Sequence, residues 1–265
     1  SIVTAVAATN ATPTLTNIEN VNVKFQAASK IDLVNATGVE TVKVHNSTAG
    51  KTGTVLNVAG ATLSVANQKV GVDFDGSTAE KLNLNFDTVG TAATSINVDL
   101  AANKATSFNI IAKDAYVTLK ETAGTTAGAT TTSATIAATG TNKIQFATSD
   151  LATIETLTVT GKGSVDLSGA NLAALKTLTA ADGGVTVSAT GAVLETVTTG
   201  AGADTITAST SALAATATIN LGAGDDILTL AAAPTAGATL TAGAGTDTLA
   251  MNKTAYATVA GGGTY

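Results

Sequence analysis

Five segments of this chain share one short pattern, and their spacing near twenty residues decides most of what the chain can fold into. The pattern reads Ile18-Glu-Asn-Val21-Asn-Val23 and Val39-Glu-Thr-Val42-Lys-Val44, and it returns as Ile154-Glu-Thr-Leu157-Thr-Val159. Weaker copies are Leu175-Lys-Thr-Leu178 and Leu194-Glu-Thr-Val197. Neighbouring copies, such as those at Ile18 and Val39 or at Leu175 and Leu194, begin about 20 residues apart. A unit this short buries its apolar face only by stacking on the next one, which is the signature of a solenoid.

Short alternating runs fill the spaces between these signatures, among them Leu56-Asn-Val58 and Leu82-Asn-Leu84-Asn-Phe86. Each sends apolar side chains to one face and polar ones to the other, the two-residue period of a half-buried strand. Gly- and Asn-rich breaks separate them. A longer echo, Ile31-Asp-Leu33, Val98-Asp-Leu100 and Val165-Asp-Leu167, recurs at one constant interval that spans three coils. The expected fold is all-β, a parallel β-solenoid or β-roll with coils of about 19–22 residues. A β-rich N-terminal lobe, irregular solenoid or sandwich, is expected over 1–144, and the regular solenoid over 145–265. The Thr/Ala/Gly stretch 121–142 reads equally as loop, linker or coil.

Composition narrows the function. All 13 basic residues are Lys, and the net charge is −6. Nucleic-acid binding relies on neutralising phosphates, and on Arg above all for forked base contacts. It is not expected here; divalent cations are. With no Cys there is neither disulfide nor zinc–thiolate site, so a secreted chain of this size needs another staple, and bound metal is one. No apolar run is long enough to span a bilayer, so membrane insertion is not expected. The start, Ser1-Ile-Val, shows no leader, and the chain reads as a fragment of a longer protein.

Three segments near the end match one another closely: Gly200-Ala-Gly202-Ala-Asp204, Gly222-Ala-Gly224-Asp225-Asp226 and Gly243-Ala-Gly245-Thr-Asp247, each followed two residues later by Ile or Leu. Their spacing, from Gly200 to Gly222 to Gly243, is again that of one coil. Calcium takes six to eight oxygens, carboxylate and carbonyl together, and one such turn supplies too few. Turns stacked on successive coils, about 4.8 Å apart, share an ion between them.

At these residues the sequence resembles the RTX family of calcium-binding β-rolls, whose nonapeptide is G-G-x-G-x-D-x-U-x. The family's first glycine is replaced by Thr199, Leu221 and Ala242. The resemblance implies Ca2+ between Asp204 and Asp226 and again between Asp226 and Asp247, in the C-terminal part of the solenoid. Carbonyls of Thr199, Gly200, Gly202, Leu221, Gly222, Gly224, Ala242, Gly243 and Gly245 would complete the shells, with Asp225 joining or facing solvent.

Other candidates are weaker. Asp73-Phe-Asp75-Gly76 with Glu80 starts like a calcium loop but lacks the remaining ligands, and a turn between strands is expected. Asp32, Asp99 and Asp166 are expected on the outer face. His45, the only imidazole, has no nucleophile elbow around it, so no catalytic residue is named and an enzyme is not expected. Thr does not repeat strictly as T-x-T on every coil along the sequence, so an ice-binding ladder is not expected either. In overall character the chain resembles type I-secreted bacterial S-layer proteins. That likeness implies a structural component at the extracellular cell surface, assembled with calcium into a self-associating lattice and touching lipopolysaccharide or another surface glycan. The alternatives are a spacer or binding segment of an RTX adhesin and a β-helix polysaccharide-active enzyme.

Overall fold

Strands form where apolar and polar residues alternate, and in this computed structural model they stack in parallel as successive coils of a β-solenoid. The structure describes residues 2–5, 10–121, 131–147, 150–189, 194–208, 213–234 and 237–251. Among them the one helical element is a 3-10 turn, Asp150–Thr153, and no helix is long and apolar enough to cross a membrane. The chain divides into two compact units, Ser1–Thr131 and Thr132–Tyr265.

Each coil of the first unit contributes one strand to a front sheet and one to a back sheet. The front column runs through Val21, Val42, Leu63, Leu84 and Ile110, each opposite the next. The back column runs through Ile31, Val55, Phe74 and Leu100. The steps from Ile31 to Val55, from Phe74 to Leu100 and from Leu84 to Ile110 are longer than the expected coil. The surplus sits in the loops, because side-chain register within the strands is kept. A one-residue slip would turn every buried side chain outward, so strand register is the fixed quantity and coil length the adjustable one. All of these column residues are at most 1 % exposed. Gly53 shows how tightly the interior is filled: a Cβ there would collide with the ring of Phe25.

The corners of this unit stack as well as the strands. Asn46, just after its strand, and Asn67, Thr88 and Asp114, within theirs, stand where successive coils leave the front sheet, all in the left-handed region with φ of +49°, +48°, +57° and +48°. Asn and Asp tolerate this conformation better than other side chains. At Asp114 the strand Ser107–Lys120 turns the corner without breaking. Its first part pairs with Lys81–Val89 in the front sheet and its last four residues with Ile96–Ala101 in the back sheet.

The second unit repeats the scheme with more even steps. Its front column is Ala134, Leu157, Leu178, Val197, Ile219 and Leu240. Residues 132–142 of the low-complexity stretch belong to this coiling, with Ser133–Thr139 a front strand; residues 122–130 lie outside the described residues.

On the outward side of that sheet Ser133, Thr156, Thr177, Thr196, Thr218 and Thr239 stand in one row, and Thr135, Thr158, Thr179, Thr198, Asn220 and Thr241 in the next. T-x-T therefore recurs in space on four of these strands and, in keeping with the linear reading, not on every coil. Unequal coil lengths hide it along the sequence. Threonine's fit to an exposed pleated surface accounts for the rows.

Candidate metal centre

Where the second unit turns from its front to its back sheet, glycines of successive coils lie over one another. A Cβ on Gly222 would collide with the Gly200 carbonyl oxygen, and one on Gly243 with that of Gly222. The second glycines repeat this: Gly224 meets the carbonyl of Gly202, and Gly245 that of Gly224. At Gly224 and Gly245 φ is +132° and +143°, which no side chain tolerates well. The carbonyls of Gly200 and Gly222 accept hydrogen bonds from Ala223 N–H (2.8 Å) and Ala244 N–H (3.0 Å), one coil on. The glycines are there so that backbone can lie on backbone.

Beside this edge runs an inward column that changes character midway. Val165 opposes Val185, and the same column continues with Asp204, Asp226 and Asp247. Each aspartate stands one residue ahead of a paired position: Thr205 opposite Ile227, and Ile227 opposite Thr248. Val185, Asp204 and Asp226 are all 0 % exposed, and Asp247 is half-buried.

The three carboxylates form a ladder along the stacking direction. Asp204 Oδ1 accepts the Val185 N–H at 2.7 Å, Asp226 Oδ1 the Asp204 N–H at 2.8 Å, and Asp247 Oδ1 the Asp226 N–H at 3.1 Å. The aspartates thus take over backbone donors from one coil to the next. The other oxygens, Asp204 Oδ2 and Asp226 Oδ2, are buried with no hydrogen-bond partner. Burial pushes the carboxyl of Asp204 above its usual range; the Val185 N–H and Thr199 pull it down, and Asp226 pushes it up again. Burial also raises Asp226, opposed by the Asp204 N–H and reinforced by Asp247 and Asp225. Buried ionised oxygens without partners are unfavourable by several kcal/mol in an apolar setting, at order of magnitude, so such a pair demands a proton or a cation.

The sequence-derived candidates fall on this edge, in different roles. Thr199 is buried and donates its Oγ1 to the Leu221 carbonyl at 2.5 Å. Leu221 is buried and its N–H reaches the Thr241 carbonyl at 2.9 Å; Ala242 is exposed. Asp225 faces outward and accepts the Thr246 N–H at 2.8 Å. Among the described residues no three carboxylate or imidazole groups gather at one point. An ion here would take two carboxylates at most, the remaining oxygens being carbonyls and water.

Sequence reasoning missed that the edge starts a coil earlier. A Cβ on Gly202 would collide with the backbone of Gly184, and one on Gly200 with that of Ala181. The doublet Gly183-Gly184 was the available signal, masked because Val185 stands where the later coils carry Asp.

The remaining candidates lie elsewhere. Asp73 and Asp75 are on the strand Val72–Asp75, with Gly76 at the following corner at φ +77°. Asp73 stands opposite Asp99 on the neighbouring back strand and accepts Thr54 Oγ1 at 3.3 Å. Partial burial and Asp99 raise its carboxyl, against Thr54, Lys30 and Lys120. Asp32 and Asp166 each accept the N–H two residues on, Val34 at 3.0 Å and Ser168 at 2.8 Å, ending their strands in the same way. His45 ends a front strand, its Nδ1 3.1 Å from Asn46 Nδ2; partial burial with Lys43 and Lys24 lowers its pKa. No protein-family model, curated protein or solved structure matches the chain.

Proposed function

We propose that this chain is a structural segment of an extracellular bacterial surface layer, and that calcium completes the aspartate ladder of its second unit. The observation that carries the calcium reading is the pair of buried, unpartnered oxygens on Asp204 and Asp226. They belong to neighbouring coils, along an edge where glycine brings backbone carbonyls close. Calcium accepts such a mixture of few carboxylates and many neutral oxygens, whereas magnesium insists on a small octahedron and zinc prefers nitrogen and sulfur. The Arg-free, aromatic-poor composition supports a scaffold over a catalyst, since sugar-cleaving solenoids need aromatic platforms and basic groups. The surface-layer assignment rests on that composition and on the motif's resemblance.

Calcium titration of the isolated chain, followed by calorimetry and thermal melting, tests the first part. The expected result is saturable binding and a melting temperature that rises with calcium and falls on chelation, as for any ligand that binds only the folded state. Identical melting in calcium and EDTA would refute it. Electron microscopy of the protein tests the second: ordered sheets in calcium that disperse in EDTA are expected, and a monodisperse protein in calcium would refute the lattice reading in favour of a spacer.

A further inference from the structure

The two sheets of the first unit carry opposite charge on their outward sides. Among the described residues, the outward positions of the front strands hold Lys24, Lys43, Lys81 and Lys113 against one carboxylate, Asp87. Lys113 already pairs with Asp87 at 3.3 Å, so the excess is positive and lies at Lys24, Lys43 and Lys81. Glu19, Glu40 and Glu80 come one residue ahead of their strands and belong to the corner. The middle of the face is uncharged: Ser64 and Ala66 stand opposite Lys43 and His45 on one side and Asn85 and Asp87 on the other. Both face outward yet are only 6 % and 2 % exposed, so their neighbours close over them and this part of the face is filled.

The back strands reverse the sign. Their outward positions hold Asp32, Asp73, Asp75 and Asp99 against Lys30 and Lys120. Lys120 stands opposite Asp99, and Lys30 opposite Thr54. The excess is negative and centred on Asp73 and Asp75. Asp73 faces Asp99 on the next strand, and like charges so placed repel until a cation comes between them.

We propose that the front face of the first unit docks on the back face of the first unit of a second copy. One molecule supplies both signs, on two sheets with the same strand spacing. A long ammonium stem from one face and a short carboxyl from the other together span the roughly 10 Å that separates stacked sheets. Complementary charge of this kind selects the partner and speeds encounter. Because the two faces differ, each copy in a pair keeps one face open, and the contact continues from copy to copy. The inference rests on the surface-layer reading for its setting and names one contact of that layer. The contact itself depends on charge and needs no calcium, so it is tested in EDTA.

Sedimentation velocity of the full chain at low salt should show reversible association that grows with concentration. It should fade as salt is raised, since the screening length falls from about 10 Å at 0.1 M to about 3 Å at 1 M. A chain that stays monomeric throughout overturns the proposal. Lys24→Glu/Lys43→Glu makes both faces acidic, and Asp73→Lys/Asp75→Lys makes both basic. Each variant alone should be monomeric, whereas an equimolar mixture should associate at least as well as the parent. A mixture no more associated than its components overturns the contact. Lys24→Gln/Lys43→Gln and Asp73→Asn/Asp75→Asn, which remove charge with little change of shape, should each lose most of the association. If only the front substitutions matter, the basic face belongs to an acidic partner of another kind and the contact between copies is wrong. Calcium-dependent sheets without association of the mixture would sink this contact alone. Association of the mixture without such sheets would sink the lattice reading and leave the contact standing.

Discussion

Asp226 is the residue on which two properties of the second unit meet. Its Oδ1 holds the Asp204 N–H, its own N–H is held by Asp247, and its Oδ2 has no partner. Asp226→Asn keeps the shape and the acceptor that Asp204 uses while removing the charge. Removing an unsatisfied buried charge relieves about 1–3 kcal/mol, so this variant should melt higher than the parent in EDTA. It should also lose most of the calcium-induced rise, while Asp225→Asn, outward on the same turn, should leave that rise nearly intact. Thermal melting of both variants with and without calcium checks this. An Asp226→Asn protein that responds to calcium like the parent would remove the ladder from the binding site.

At the scale of strands, the two sheets of the first unit place like charges side by side as well as opposite ones. Asp73 and Asp99 are direct neighbours across the back sheet, flanked in the same column by Thr54 and Lys120. Like charges opposite one another destabilise a sheet, and the Asp73 carboxyl is accordingly raised, burial being the larger cause. A carboxyl raised in the folded state contributes stability below its unfolded pKa, and that contribution is lost as the pH rises through the folded value. Asp73→Asn should therefore raise the melting temperature of the first unit at neutral pH. The gain should shrink as the pH falls through the raised pKa and vanish below the usual carboxylate range, where both proteins are uncharged at this position. A gain that persists at low pH would point to packing instead.

The strands themselves were legible because alternation and a twenty-residue step are properties of the linear chain. Val42 and Leu63 can be assigned to one column from sequence alone. The orientation of the aspartates was not legible. Asp204 sits in a Gly-rich turn motif, and only the register of Thr205 with Thr186 reveals that it occupies a column held by Val185 one coil earlier. The threonine rows were hidden for a related reason. Coils of unequal length put equivalent residues at unequal distances along the chain, although the strands bring them level.

For each unit as a whole, strand pairing passes from one coil to the next, and the described ion pairs follow the same rule. Lys113 reaches Asp87 at 3.3 Å, Lys143 reaches Asp166 at 3.2 Å and Lys176 reaches Glu155 at 3.0 Å, every one between adjacent coils. Such exposed pairs contribute at most about 1 kcal/mol each, so cohesion rests on the stacked apolar columns. Nearest-neighbour cohesion has a mechanical consequence. Pulled by its ends, a unit built this way has no distant contact to share the load, and tension falls on the outermost coil until it peels away. A coil of about 20 residues, drawn straight at about 3.3–3.6 Å per residue, releases roughly 70 Å of slack. Stretching single molecules should therefore show a staircase of lengthening steps near that size rather than one rupture, with calcium raising the force only for the steps that open the aspartate ladder.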